Sequence, residues 1–319
     1  MATMDATSPT FTDHDHDWDV LIIGRSFAGL SAALTLGRAR RSVLVIGVGG
    51  PRNEAVPHAH GLLTRDHQDP NDLVRAAEEQ LSRYPTIQLQ EGRVSDLGAI
   101  GDGQGFQATF DGQTTTARFA IVATGANDDP PPIAGLADHW GRGVFTCPFC
   151  DGWEHQDQHL AVVGDPAFVP HLAGMLRRGW TDHVTVFATL DADAADGLKA
   201  IGIAVDERPI ARFQGAGDHL TALVLEDGTR VEVGAAFVAA LPKANVGLAT
   251  GLGAEVDEFG FLVTDDLRAT TVDGLFAVGD VRTRMHQMAL AIADGLTAGA
   301  MVVQRLIADG TPPRRMDIG

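Results

Sequence analysis

Cysteine is scarce in this sequence: its 319 residues contain only Cys147 and Cys150. A zinc site would need a second cysteine pair, and the nearby His155 and His159 do not match a familiar ligand spacing, so no metal is predicted. Half of a metal site and two buried apolar cysteines are the alternatives to a redox-active dithiol. The spacing favours the dithiol, because a Cys-x-x-Cys can close a small disulfide ring and forms its thiolate more easily than a free cysteine.

Positive charge and long apolar runs are also lacking. The formal net charge is −18, with 24 Lys and Arg against 42 Asp and Glu, which argues against nucleic acid and an anionic membrane surface as partners. No continuous apolar run approaches the roughly 20 residues of a membrane helix. Residues 1–17 are polar and acidic, so we expect a disordered tail without a secretion signal. A cytoplasmic protein is expected, and there a lone cysteine pair is more often catalytic than structural.

The first part of the chain reads as a βαβ unit with a glycine turn. Two apolar strands, 20–23 and 42–46, flank a helical pattern that runs from Leu30 to about Arg40. Between the first strand and the helix stand Gly24, Ser26 and Gly29, in Gly-x-Ser-x-x-Gly spacing. Backbone N–H groups at such a turn, together with the helix dipole, can hold a pyrophosphate. The strand, turn, helix and strand in succession make this otherwise weak motif specific.

The second strand ends at Gly47, where an acid would ordinarily hold a ribose hydroxyl. We therefore expect the following loop, with Arg52 and Asn53, to hold the adenosine. The loop continues with His58 and His60 and is long and polar, which favours a function. Two interpretations of these histidines stay open, since they suit either a place near the cofactor and substrate or an ordinary surface loop.

Three further strands are predicted before the cysteines, at 87–94, 106–110 and 116–122, with a helix at 71–82. The last strand ends in Ala123, Thr124 and Gly125, small residues that allow a dinucleotide to approach closely. A run of prolines at 130–132 then indicates a linker, because proline cannot continue a helix or a central strand.

A second turn of the nucleotide-binding type follows the cysteines, but it lacks most of the residues that bind a nucleotide. The strand 160–163 leads to Gly164, the one glycine left of the usual set, while Pro166 lies in the turn and Pro170 near the start of the helix. Asp191 follows the partner strand where an arginine would attract a 2′-phosphate. We expect an ordinary βα turn in a structural domain rather than an NAD(P)H site.

Strands are predicted at 220–225, 230–233 and 236–240, before a second linker at 241–242. After this linker the chain returns to the first domain. A further apolar strand ends in Gly279 and Asp280, whose carboxylate can hold a ribityl or ribose hydroxyl. The final helix is predicted over 288–308.

The order of these motifs resembles the low-molecular-weight thioredoxin reductase family over nearly the whole chain, from Val20 to Ile307. The matching segments are Gly24 to Gly29, Ala123 to Gly125, Cys147 to Gly152, and Thr270 to Asp280. The resemblance implies an α/β fold of two Rossmann-like domains, each in three layers (ββα), with the second inserted into the first. The FAD-binding domain would comprise 18–127 and 243–319, and an NAD(P)-binding-like domain, 128–242, would carry the cysteines.

The resemblance also assigns roles to residues. Cys150 would face the flavin, Cys147 would exchange with the substrate sulfur, and Asp151 would act as acid and base. Gln287 would lie by the isoalloxazine ring, and a loop histidine, His58 or His60, would contact substrate or relay protons. The residues expected to hold FAD are Gly24, Ser26, Phe27, Ala28, Gly29, Arg52, Asn53, Ala123, Thr124, Gly125, Gly279, Asp280, Gln287, Met288 and Ala289.

The residues around the cysteines resemble one branch in particular, the dithiol oxidases of gliotoxin and holomycin biosynthesis. Cys-Pro-Phe-Cys followed by Gly152, Trp153 and Glu154 carries this likeness, although Asp151 stands where that branch commonly has His. The branch implies oxidation of a small natural-product dithiol, with electrons passing through FAD to O2 to give H2O2, by a homodimer. Three alternatives remain: an NAD(P)H-dependent reductase of thioredoxin or a related protein, a reductase supplied by ferredoxin or another flavoprotein, and a scaffold or redox sensor.

Overall fold

A computed structural model describes residues 16–48, 50–101, 103–217 and 219–314. Residues 1–15 of the expected tail, Gly49 of the expected adenosine loop and residues 315–319 lie outside the described residues. Asp17, at the end of the expected tail, is joined to the first sheet, since its carboxylate accepts hydrogen bonds from the Thr116 N–H at 2.8 Å and from the Thr115 hydroxyl at 3.0 Å.

The described residues contain strands and helices in alternation. The strands are β1 Trp18–Ile23, β2 Val43–Gly47, β3 Ile87–Glu91, β4 Val94–Ile100, β5 Gly105–Phe110, β6 Gln113–Val122, β7 Ala126–Asn127, β8 Val144–Phe145, β9 Leu160–Gly164, β10 Val184–Phe187, β11 Ala204–Asp206, β12 Ile210–Ala216, β13 His219–Leu225, β14 Arg230–Glu232, β15 Ala235–Ala239, β16 Lys243–Ala244 and β17 Leu275–Ala277. The helices are α1 Phe27–Arg38, α2 Pro70–Leu81, α3 Pro148–Asp151, α4 Val169–Gly179, α5 Ala192–Ala200, α6 Gly247–Gly251 and α7 Met288–Ala308.

The first sheet combines a parallel half with an antiparallel half. Its strand order is β3-β2-β1-β6-β5-β4, and β17 pairs with β6. Side chains alternate between its faces, as they must in a strand. Val20 and Ile22 pack on one side among residues of α1, α2 and α7, whereas Leu21 and Ile23 pack on the other among residues of β4, β5 and the segment 249–262. The apolar run of β1 is thus buried on both faces.

The second sheet is entirely parallel, in the order β11-β10-β9-β15-β8. Leu160 and Val162 face a core that includes residues of α4 and α5. Ala161 and Val163 face the antiparallel sheet β12-β13-β14. Helices on one side and a second sheet on the other make the three layers expected of the fold.

The chain enters and leaves this second part at adjacent points. The short strand β7 precedes it, β16 follows it, and the two pair antiparallel with Ala126 opposite Ala244. The insertion of one Rossmann-like unit into another confirms the predicted fold class. The exact domain boundaries, at 127/128 and 242/243, stay predictions.

Several predicted elements shift in the structure. Helix α1 begins at Phe27, three residues earlier than its apolar pattern suggested. The predicted strand 87–94 is two strands, because β3 ends at Glu91 and β4 begins at Val94. Helix α5 was not predicted; its N-cap, Asp191, accepts a hydrogen bond from the Ala194 N–H at 2.8 Å. Asp191 therefore stabilises a helix start, a role that its position after β10 did not reveal.

Helix α7 is apolar enough over 21 residues to cross a membrane by length and composition alone. This corrects the expectation that no segment passes that test. The buried side of α7 packs against α1, however, with Ala298 and Val302 in the same core as Leu30 and Ala33. A core helix passes the same test, so the helix is weak evidence for a membrane.

The α1–α7 contact is close because glycine faces α1. A Cβ built on Gly295 would lie 2.1 Å from the Ala28 carbonyl oxygen, and one on Gly299 would lie 3.0 Å from the Ala32 carbonyl oxygen. Backbone atoms cannot yield as a flexible side chain would, so the two helices would have to separate.

We predict that Gly295→Ala destabilises the protein by about 1–3 kcal/mol, because overpacking forces α7 away from α1. The matched control is Gly197→Ala in α5, where a Cβ would meet no atom of the described residues within 4 Å. That change should stabilise by about 0.5–1 kcal/mol through helix propensity. Urea unfolding of the cofactor-loaded protein measures both, and equal effects of the two substitutions would contradict the packing argument.

Candidate active site

The two cysteines form a disulfide across the single turn of α3. Cys147 is the N-cap residue, in an extended conformation, and Pro148 follows as the first helical residue, where its missing N–H costs nothing. The turn closes when the Cys150 N–H donates to the Cys147 carbonyl at 3.1 Å. The sequence Cys-Pro-x-Cys therefore builds the geometry that a ring of this size needs.

The side chain of Gln287 contacts both sulfurs. Its amide Nε2 lies 3.5 Å from Cys147 Sγ and 3.3 Å from Cys150 Sγ. Gln287 is the N-cap residue of α7, but among the described atoms its side chain makes no capping hydrogen bond. The amide is turned toward the sulfurs instead, and this joins the disulfide to the first Rossmann-like unit.

The disulfide borders a cavity of about 1110 Å³ that extends over the first sheet. The predicted site residues that line it are Gly24, Ser26, Phe27, Ala28, Arg52, Asn53, His58, His60, Ala123, Thr124, Gly125, Cys147, Cys150, Asp151, Gly279, Asp280, Gln287 and Met288. Two predicted residues are placed elsewhere. Gly29 packs inside the turn, where a Cβ would lie 2.0 Å from the Gly24 carbonyl oxygen, and Ala289 is exposed on the first turn of α7.

The residues of this cavity suit FAD. Gly24 has φ of 124°, and a Cβ there would lie 2.1 Å from the Ala123 carbonyl oxygen, so the turn requires glycine. Within the described residues, the Ser26 side chain makes no hydrogen bond that caps α1. The first N–H groups of α1 are thus left to bind an anion such as a pyrophosphate. Hydrogen-bonding groups for hydroxyls and ring edges lie farther along the cavity, on Asn53, Thr124 and Asp280.

The glycine at the end of β2 has a packing reason. A Cβ on Gly47 would lie 2.6 Å from both the backbone nitrogen and the Cβ of Arg25. Arg25 is held in place by Glu78, whose carboxylate accepts from its Nε at 2.5 Å. Arg25 therefore occupies the space beside β2 where an acidic side chain would otherwise be expected.

Arg52 lies in a buried ionic group rather than free in the cavity. Its guanidinium donates to Asp128 at 3.1 Å and to Asp280 at 3.0 Å, and it also contacts His286 Nδ1. Burial alone would lower the pKa of Arg52, but the two carboxylates outweigh it and raise the pKa. Burial lowers the pKa of His286, which favours the neutral ring that can accept from Arg52. Asp128 and His286 were not identified from the sequence.

Asp151 follows Cys150 and is the most strongly perturbed acid at this site. Burial, and next the charge of Glu154, raise its pKa to about 7. The carboxyl is therefore divided between its protonated and ionised forms near neutral pH. A group of this kind beside a disulfide can both take up and release a proton.

A histidine group from the polar loop reaches the same segment. His60 Nε2 lies 3.5 Å from Glu154 Oε1, and its Nδ1 lies 3.7 Å from Asp66 Oδ1. The ring of His67 stacks on His58, with centroids 4.1 Å apart, and approaches His60. From the sequence, Glu154 was identified only as part of the motif after the cysteines. Its position three residues after Asp151 was the signal that could have placed it at the same site.

The second nucleotide turn has the backbone of the first but different hydrogen bonding. Gly164 also has φ of 124°, and its Cβ would lie 2.3 Å from the Ala239 carbonyl oxygen. Here Asp165 accepts hydrogen bonds from the turn itself: its side chain from the Ala167 N–H, and its carbonyl from the N–H groups of Phe168 and Val169. Pro170 contributes no N–H. The donors that would hold a pyrophosphate are thus already paired.

A smaller cavity of about 540 Å³ lies at this edge of the second sheet. Arg208 borders it, but its guanidinium is bonded to Asp206 and Asp227. Glu207 adds a further acid to the lining. In the part of the chain that the structure describes, no group of three or more His, Cys, Asp or Glu side chains is placed to hold a metal ion.

Comparison with known proteins shows which family has this architecture. The sequence matches the pyridine nucleotide-disulphide oxidoreductase family over residues 18–295. It is 31% identical over 306 residues to thioredoxin reductase sirT of Leptosphaeria maculans, covering 89% of this chain and 93% of that protein. It is also 31% identical over 305 residues to thioredoxin reductase tcpT of Claviceps purpurea, covering 91% and 95%.

Solved structures agree with these relatives. The structure of HlmI superimposes with a TM-score of 0.89 at 31% identity and covers 93% of this chain and 95% of its own. An oxidoreductase from Agrobacterium tumefaciens has a TM-score of 0.82 at 38% identity, with coverage of 92% and 99%. The predicted likeness to thioredoxin reductases is confirmed. This chain belongs to the pyridine nucleotide-disulphide oxidoreductase family, and like the thioredoxin reductase-like members of that family it is a FAD-binding redox enzyme.

Proposed function

We propose that this enzyme is a dithiol oxidase: it closes an intramolecular disulfide in a small natural-product dithiol and delivers the electrons to O2 as H2O2. The observation that carries the proposal is the contact of Gln287 with both sulfurs at the edge of the FAD cavity. The Gly164 turn supports the proposal independently, because its backbone N–H donors are already bonded to Asp165. A reductase of this type must bind NAD(P)H, and an oxidase need not.

The first part of the reaction is an exchange of sulfur bonds at Cys147. A substrate thiolate attacks Cys147 Sγ, the Cys147–Cys150 bond breaks, and Cys150 leaves as a thiolate. The second substrate thiolate then attacks the substrate sulfur of the mixed disulfide and releases Cys147. The substrate has lost two electrons and the cysteine pair has gained them. The Gln287 amide, which donates toward both sulfurs, stabilises the thiolates that form.

Protons move through the acid beside the sulfurs. Asp151 in its ionised form accepts a proton from an incoming thiol and, once protonated, returns it to a leaving sulfur. Burial, and next the charge of Glu154, keep the pKa of Asp151 near 7, and His60 lies 3.5 Å from Glu154 on the side of the polar loop.

Bound FAD supplies the remaining chemistry, since it can take two electrons from a reduced cysteine pair and pass them to O2. In this proposal the chain holds it with the turn Gly24 to Ala28, the small residues Ala123 to Gly125, and the N-terminal end of α7. Asp280, whose carboxylate accepts from Arg52, would be the residue that holds a ribityl hydroxyl.

The second candidate is a disulfide reductase that uses NAD(P)H or another electron donor such as ferredoxin. The relatives sirT and tcpT, both named thioredoxin reductases, favour it. Its cysteines would be the same, with electrons flowing from FAD to the disulfide of a substrate protein. The cavity beside Gly164 would then have to admit a nicotinamide nucleotide, against the acids Glu207 and Asp165 that border it.

The proposed enzyme is a cytoplasmic homodimer with no nucleic acid or membrane partner. Leu296 and Ile307 are exposed on the outer side of α7 and would suit contact with a second copy. Size-exclusion chromatography with light scattering measures the assembly directly.

For the oxidase we expect one O2 consumed and one H2O2 formed for each substrate disulfide produced. Cys147→Ser and Cys150→Ser should each lower this turnover by about 10³-fold or more, because neither variant can open and reform the disulfide. The flavin absorbance of the purified variants is the control for cofactor binding. Peroxide formation from dithiol at a normal rate by either serine variant would contradict the mechanism.

The pKa of Asp151 predicts a pH dependence. A carboxyl with a raised pKa is protonated below about 7 and becomes a base above it, so disulfide opening, expressed per protonated thiol of the dithiol, should rise through pH 7. Asp151→Asn should remove this step and lower the plateau about 10²-fold. Glu154→Gln should move the step to lower pH, because one of the two causes of the shift is removed. The control is Glu226→Gln, an exposed acid on another surface; a shift there of equal size would refute the local explanation.

A further inference from the structure

The most exposed large apolar side chains of the described structure lie on segments that reach the sulfur pair. Leu63, Phe149, Trp153 and Met285 are 89, 70, 70 and 66% exposed, more than any other large apolar residue that the structure describes. They come from three separate segments of the chain. Water-exposed apolar groups gathered at one place are a mark of an interaction site.

Phe149 is held in its exposed position. It lies between the two cysteines, and its ring meets the Trp180 ring edge-on, with centroids 5.5 Å apart. Trp180 in turn packs against Gly152, where a Cβ would lie 2.8 Å from the indole Nε1. Because the Phe149 ring packs against Trp180 on one side and is exposed on the other, it can contact a ligand without losing further side-chain freedom.

The opposite side of the sulfurs is formed by the polar loop and the segment before α7. A Cβ on Gly61 would lie 3.7 Å from Gln287 Oε1, so the loop reaches the amide that touches the sulfurs. Leu63 is two residues beyond Gly61, and Met285 is two residues before Gln287. Met285 and Phe149 line the same cavity as the disulfide.

Acidic side chains outnumber basic ones at this opening, where Arg65 stands next to Asp66 in the polar loop. Glu154 and Asp66 flank His60, and Asp151 lies beside Cys150. Arg284 also borders the cavity, but its guanidinium lies over the Phe259 ring at 3.9 Å. With a net charge of −18 on the whole chain, a carboxylate on the substrate would meet repulsion at this opening.

We propose that Leu63, Phe149, Trp153 and Met285 form the surface that binds the substrate's framework, and that this framework is apolar and uncharged, with an aromatic or aliphatic body next to the two thiols. The proposal rests on the proposed function, since it concerns the dithiol that the sulfur pair oxidises. The proposal predicts that the enzyme prefers such a compound to anionic dithiols and to an acidic protein substrate.

Two matched pairs of dithiols test this selectivity on the FAD-loaded enzyme under anaerobic conditions. 1,2-Benzenedimethanethiol and dithiothreitol both place four carbons between their thiols but differ in an apolar or a polar body. Dihydrolipoamide and dihydrolipoate differ in an amide or a carboxylate. The readout is opening of the Cys147–Cys150 disulfide, followed by acid quench, alkylation and mass measurement, with rates expressed per thiolate.

We expect the aromatic dithiol to react at least about tenfold faster than dithiothreitol, because its ring is buried against Phe149 and Trp153. Dihydrolipoamide should exceed dihydrolipoate several-fold. In the double variant Phe149→Ala, Trp153→Ala the aromatic advantage should fall below about threefold, while the dithiothreitol rate changes little. The control is Leu267→Ala, which removes an exposed apolar side chain that does not border the disulfide cavity and should leave all four rates unchanged.

The proposal is overturned if aromatic and polar dithiols react equally fast, or if the variants slow both pairs of dithiols alike. Neither result would contradict the proposed oxidase function. A reduced thioredoxin-type protein that reacts faster than every small dithiol would overturn it as well. If the double variant keeps its selectivity but changes the oligomeric state in sedimentation, the surface binds a second copy and the proposal is wrong. If none of these dithiols opens the disulfide, the proposed function itself fails.

Discussion

The contact between one amide and two sulfurs connects the two halves of this molecule. Gln287 begins the last helix of the first Rossmann-like unit, and Cys147 and Cys150 belong to the segment that leads into the second. The side chain that would ordinarily cap α7 donates instead toward the disulfide. Because α7 packs against α1 through glycine, the sulfurs are fixed relative to the glycine turn at the other end of the cavity. Tight packing far from the chemistry thus sets the geometry of the redox pair.

The two nucleotide turns show how similar backbones can have different capacities. Both turn at a glycine with φ of 124°, and both press that glycine against the carbonyl oxygen of a neighbouring strand. In the first turn Ser26 leaves the helix N–H groups to a ligand, whereas in the second Asp165 takes them up. The second turn therefore differs from the first in its free donors rather than in its glycine: Asp165 accepts from Ala167, Phe168 and Val169, and Pro166 has no N–H to offer. This difference favours an enzyme that does not use a nicotinamide nucleotide.

Much of this arrangement followed from sequence, because the signals were local. The glycine turns, the apolar strands and the Cys-Pro-x-Cys turn each carry their geometry within a few residues, and α7 was placed at its exact ends. The contacts across the chain did not follow. Nothing near Arg52 indicates that it bridges Asp128 and Asp280, 76 and 228 residues away. The same holds for His60 with Glu154 and for Trp180 beneath Phe149, since such pairs depend on how the two units fold against each other.

The most direct test is the choice of electron donor. Anaerobic stopped-flow mixing of the FAD-loaded enzyme with a small dithiol, and separately with NADPH and NADH, compares the two routes by the loss of flavin absorbance. For a dithiol oxidase we expect the dithiol to bleach the flavin, both nicotinamides to leave it oxidised, and readmission of air to restore the colour with formation of peroxide. Rapid bleaching by NADPH or NADH, with no response to any dithiol, would contradict it and reverse the direction of electron flow.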